Sequence, residues 1–141
     1  MKARYPAGSS VPSTAALPGC GIDFVGDGAA TRTPQEVARG ISGLEVPEGS
    51  RVVHFEERWN DFNGDGHAHV EIALTPDELR ALAAEARREG WVALPVPDRI
   101  LRTDPGLPRE GLYRLRDRPG DSRLVVLDTR GGRLIARVLL S

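Results

Sequence analysis

Cysteine is almost missing from this chain: Cys20 stands alone in 141 residues. No disulfide can form within the chain, so the fold must stand on packing. Aromatic residues reach only 5%, which leaves few rings to stack on nucleic-acid bases. No apolar run approaches the roughly 18 residues that a membrane-spanning helix needs. Several catalytic signatures are also missing: the G-x-S-x-G nucleophile elbow, the G-x-x-x-x-G-K-[ST] phosphate loop, the G-x-G-x-x-G dinucleotide fingerprint and a second cysteine for a zinc pair. The expectation is a non-enzymatic chain with no resident cofactor. Lysine is scarce as well. Lys2 is the only one, arginine supplies the other basic side chains, and Ala and Gly are abundant, as in translation of a GC-rich bacterial genome.

What is present is ordinary for one globular domain, with 40% hydrophobic and 28% charged residues. A folded chain of this length buries roughly 70% of the surface its unfolded form exposes, enough for one core. The net charge of −1 hides an asymmetry. Residues 1–98 carry 9 basic and 15 acidic groups, whereas residues 99–141 carry 10 and 5. A basic tail of this kind marks either a nucleic-acid face or an internal complement between two parts of a fold. Arg114, Arg116, Arg118, Arg123, Arg130, Arg133 and Arg137 lie in this tail, yet Tyr113 is its only aromatic. The expectation is therefore no nucleic-acid partner.

Residues 1–32 are rich in Pro, Gly, Ser and Ala without sustained periodicity, and read as a flexible leader ahead of a single domain at 33–141. Within the leader, Leu17-Pro18-Gly19-Cys20-Gly21 resembles the lipobox of bacterial lipoproteins, whose cysteine is acylated after signal-peptide removal. A signal needs a continuous apolar run of about 7–15 residues before that site. Here Pro6, Gly8, Ser9, Ser10, Pro12 and Ser13 interrupt it. As written the chain reads as cytoplasmic. An exported or lipoprotein form is expected only if the true start lies upstream.

Thr33-Pro34-Gln35-Glu36 has the form of a capping box and predicts a short helix to Ser42, with Gly43 free to end it in the left-handed conformation. Alternation of Val53, Phe55 and Trp59, and of Ala68, Val70, Ile72 and Leu74, predicts a hairpin over 51–59 and 67–74. Matching the apolar faces sets Phe55 opposite Ile72 and Trp59 opposite Ala68, leaving Asn60 to His67 as the turn. Glu57 then sits awkwardly on the apolar face, at a bulge or at the sheet margin.

Thr75-Pro76-Asp77-Glu78 repeats the capping signature, and Leu79, Leu82, Ala83 and Ala86 form one stripe, predicting a helix from Pro76 to Glu89 that Gly90 ends. Trp91 should pack back on the sheet. Prolines from Pro95 to Pro108 predict an extended connection. The last third reads as a meander of strands at 111–117, 122–128 and 133–140, with Pro119-Gly120 and Gly131-Gly132 as its reversals. The fold class is thus α+β, in the order α-β-β-α-β-β-β, with a mainly antiparallel five-stranded sheet and the helices on one face.

The sharpest motif is Asp61-Phe62-Asn63-Gly64-Asp65-Gly66. It resembles the opening of calcium loops in dockerins, EF-hands and FG-GAP repeats, where alternate side chains supply oxygen ligands and glycine permits a sharp turn. Asp61, Asn63 and Asp65 match the first ligands. His69 stands where FG-GAP loops place an aspartate, and Ile72 where EF-hands need a terminal carboxylate, with Glu71 one residue early. The same residues are good turn formers, and that reading is preferred. An echo upstream, Asp23-Phe24-Val25-Gly26-Asp27-Gly28, shares five of six positions.

His67, His69 and Glu71 alternate on one strand and project from the polar face, with Glu56 and Arg58 across from them. Two imidazoles and a carboxylate suit a transition ion such as zinc with positions left for water. The favoured expectation is a non-catalytic bacterial interaction domain that binds a protein or cell-envelope partner through its polar sheet face or loops. Second comes a metal-ion-binding protein using Asp61, Asn63, Asp65, His67, His69 and Glu71 with calcium or zinc. A metal-dependent enzyme at His67 and His69 comes third.

Overall fold

The computed structural model describes residues 32–60 and 64–141. The lipobox-like segment, the Asp23 echo, Asp61 and Asn63 lie outside them. The elements are α1 (Pro34–Ser42), β1 (Arg51–Trp59), β2 (Gly66–Ala73), α2 (Pro76–Arg88), β3 (Val92–Ala93), α3 (Asp98–Thr103), β4 (Gly111–Arg118), β5 (Asp121–Asp128) and β6 (Arg133–Leu140). The strands form one antiparallel sheet of six in the order β1-β2-β6-β5-β4-β3. No helix among the described residues is long and apolar enough to cross a membrane.

Both expected capping boxes form. The Thr33 hydroxyl accepts from the Glu36 amide at 3.1 Å, and the Glu36 carboxylate accepts from the Thr33 amide at 2.7 Å. Thr75 and Glu78 make the same pair at 3.1 and 2.9 Å. Each exchange satisfies two backbone donors that a helix start otherwise leaves open. At the end of α2 the Gly90 amide donates to Arg87 and the Trp91 amide to Ala86, with Gly90 at φ 85°. This is the Schellman geometry, and it turns the chain so that Trp91 is buried against the sheet.

The hairpin of β1 and β2 departs from the expected register by two residues. Phe55 faces Val70, and Trp59 faces Gly66. The turn closes early, on a 2.7 Å bond from the Asn60 amide to the Asp65 carbonyl, so Gly66 and His67 join the strand. A two-residue shift keeps every side chain on its face. A bulge at Val53 changes the parity instead. Val52 pairs with Ile72 before it and His54 with Glu71 after it, so Val53 is not part of the inward row and stands 54% exposed. Glu57 does lie on the apolar face at the sheet margin, where Arg32 pairs with it at 2.9 Å.

Three further expectations are corrected. The sheet has six strands, because Val92 and Ala93 pair with Tyr113 and Leu112. The proline-rich connection contains α3: Pro97 stands at its N-cap position, and residues 98–103 that follow are free of proline. The helices do not share one face. Val37 and Ile41 of α1 and Leu82, Ala83 and Ala86 of α2 cover Val70, Ile72, Leu127, Leu134 and Ala136. On the opposite face Ile100 and Leu101 of α3, with Leu94, Val96 and Leu107, cover Leu124, Val126 and Ile135. Leu124 to Asp128 of β5 are consequently buried without alternation, as expected of a strand covered on both sides.

Candidate functional site

The side of the sheet that carries α3 is only half covered. β4, β5 and β6 lie under α3, whereas the β1-β2 end stays open. β2 shows why: Ala68, Val70 and Ile72 are buried on the core side, and His67, His69 and Glu71 are half-buried on the other. Antiparallel pairing sets Arg58 beside His67, Glu56 beside His69 and His54 beside Glu71. Across β2, Leu139 lies beside His67, Arg137 beside His69 and Ile135 beside Glu71.

These side chains form a connected polar row. His69 Nε2 lies 2.9 Å from Glu71 Oε2. Arg133 donates to Glu71 at 3.1 Å and to the buried Asp128 at 3.1 Å. Asp128 in turn accepts from the Gly131 amide at 2.8 Å. His54 and His69 meet edge to face, with ring centroids 5.1 Å apart, and His54 Nε2 is 3.7 Å from Glu56 Oε1. One ligand atom each from His54, Glu56 and His69 lies within 4.8 Å of the other two. Burial lowers the pKa of His69 from the usual imidazole value, and Glu71 opposes that shift in part. Desolvation wins, so His69 favours its neutral form.

Beside this row, between the open sheet and α3, is a cleft of about 500 Å³. Its floor is apolar, from Leu115, Leu124 and Leu139, and Ile100 closes it from α3. Its rim is polar, from Glu56, His67, His69, Thr103 and Ser122. Two ion pairs bridge α3 to the sheet at the rim: Arg137 to Asp104 at 2.5 Å and Arg99 to Asp117 at 3.4 Å. A second hollow of about 520 Å³ carries Arg109, Arg130 and Arg133 with Glu110 and Asp128.

Of the residues singled out from sequence, His69 and Glu71 come into direct contact. His67 lines the cleft but is not in the His54, Glu56 and His69 group. Asp65 serves the turn through its carbonyl. Sequence reading missed His54, because the expected register placed it beyond Glu71. It also missed the cleft, whose wall is α3. Four of the seven tail arginines singled out from sequence are engaged within the fold. Arg123 pairs with Asp121, Arg133 and Arg137 pair as above, and Arg114 lies over the Trp91 ring at 5.5 Å while donating to the Ser42 carbonyl at 2.8 Å. No protein-family model, curated protein or solved structure matches this chain.

Proposed function

We propose that the chain is a non-catalytic binding domain whose protein partner seats an apolar side chain in the cleft between α3 and the open sheet. The observation that carries this reading is Leu139. It is 55% exposed and stands at the edge of an apolar floor ringed by polar and charged groups. An apolar centre with a polar rim is the usual anatomy of a recognition surface. The volume, about 500 Å³, leaves ample room for one apolar side chain. The paired charges at the rim, Arg99 with Asp117 and Arg137 with Asp104, favour orientation and selectivity over raw affinity.

The test is affinity capture from an extract of the native host on immobilised full-length protein, wild type beside Leu139→Glu. The exposed position of Leu139 lets this charge enter the cleft edge without disturbing the core. A protein retained by the wild type and lost from Leu139→Glu supports the reading. Identical capture by both removes it.

A further inference from the structure

We propose that His54, Glu56 and His69 form a binding site for a divalent transition-metal ion of the zinc type, and that Glu71 positions His69 for it. The site shares Glu56 and His69 with the cleft rim but does not use its apolar floor, so metal binding and partner binding are tested separately.

The backbone brings the three donors together. Glu56 and His69 are cross-strand partners, and His54 precedes Glu56 by two residues on the same face. The bulge at Val53 is what permits this, because Val52 pairs with Ile72 on the core side and unbroken alternation from Val52 would turn His54 toward the core. Candidate ligand atoms within 4.8 Å of one another are near the roughly 3.3–3.5 Å separations around a tetrahedral ion with bonds of about 2.0–2.2 Å. Side-chain rotation of about an ångström closes the difference.

The support behind His69 is what separates this cluster from a chance group on a polar sheet. Glu71 holds Nε2 of His69 at 2.9 Å, and Nδ1 is the atom assigned to the ion. Arg133 fixes Glu71, and Asp128 fixes Arg133. A carboxylate behind a ligating histidine is the arrangement that sets tautomer and ring orientation at protein metal sites. His54 and Glu56, at 45% and 58% exposure, leave the outer side open for water to complete the coordination. Two imidazoles with one carboxylate select zinc, cobalt, nickel or copper over calcium and magnesium.

Calorimetric titration of metal-free, full-length protein with zinc chloride, and cobalt absorption spectra as a second readout, test the site. One ion per chain is expected. His54→Ala, at an exposed position where folding is retained, should weaken zinc by more than tenfold, and Glu71→Gln by about 10–100-fold. His67→Ala should leave the affinity unchanged. Thermal melts of each variant followed by circular dichroism show that a loss of binding is not a loss of fold. Zinc binding no tighter than about millimolar, or zinc binding that survives His54→Ala, overturns the proposal.

Discussion

Arg137 of β6 reaches across the cleft floor to Asp104 at the end of α3, with its Nη1 2.5 Å from the carboxylate. The pair ties a six-residue helix to the sheet, on the side where α3 buries only Ile100 and Leu101 in part. Both side chains remain about one-third exposed, so solvent screens the pair and its worth is about 0.2–1 kcal/mol. A double-mutant cycle with Arg137→Met and Asp104→Asn should return a coupling in that range in urea unfolding. Faster hydrogen exchange should be confined to α3. Exchange that rises equally in β5 and β6 would show that the pair does more than hold the helix.

Leu82 is 2% exposed and belongs to the cluster that joins α2 to β2, β5 and β6. Leu82→Ala should cost about 2–5 kcal/mol in urea unfolding, through lost burial and the cavity left behind. A cost near zero would show that this face of α2 does not pack on the sheet.

Glu57 is the one acidic side chain on the core side of β1, and both it and Arg32 are about one-seventh exposed. Replacing it by glutamine removes a carboxylate that faces a nearly buried guanidinium. The expected destabilisation is about 1.5–3 kcal/mol, the worth of a hydrogen bond to a charged group. Glu56→Gln, on the exposed face of the same strand, should change stability by less than about 0.5 kcal/mol. Equal effects at the two positions would contradict the placement of Glu57.

Gly111 opens β4 with φ 134°, and a Cβ there would overlap the carbonyl oxygen of Leu127. Gly111→Ala should therefore destabilise by about 1–3 kcal/mol. Gly49, around which there is open space, should tolerate alanine with little change in melting temperature.

How far these features were legible in the residues depends on how local they are. The capping boxes at Thr33 and Thr75 act within four residues, so their chemistry is visible as a string, as are the reversals at Pro119-Gly120 and Gly131-Gly132. The register of β1 against β2 is not local in that sense. It depends on where the turn closes, and the bond from Asn60 to Asp65 leaves no mark in hydrophobic alternation. The bulge at Val53 hides for a similar reason, since a valine there suits an inward position equally well. His54 was lost with the register.

The helix α3 escaped because a six-residue helix set between prolines is too short to show a helical period. Its signature lay elsewhere, in Leu124 to Leu127, whose unbroken apolar run requires cover on both faces of β5. Once α3 is placed there, the cleft follows, because six residues roof part of a sheet and leave the β1-β2 end open. A site built between distant elements in this way has no contiguous motif.

The most direct measurement of the central claim is the affinity of the captured host protein for the chain, read by calorimetry on three forms. Leu139 and Val53 are 55% and 54% exposed, so glutamate at either removes a similar apolar surface, but only Leu139 borders the cleft. Leu139→Glu should weaken binding by at least about 2 kcal/mol, roughly 30-fold, as expected for an anchor of the interface. Val53→Glu should bind as the wild type does. Equal affinities for Leu139→Glu and the wild type, or a loss confined to Val53→Glu, would contradict the cleft as the recognition site.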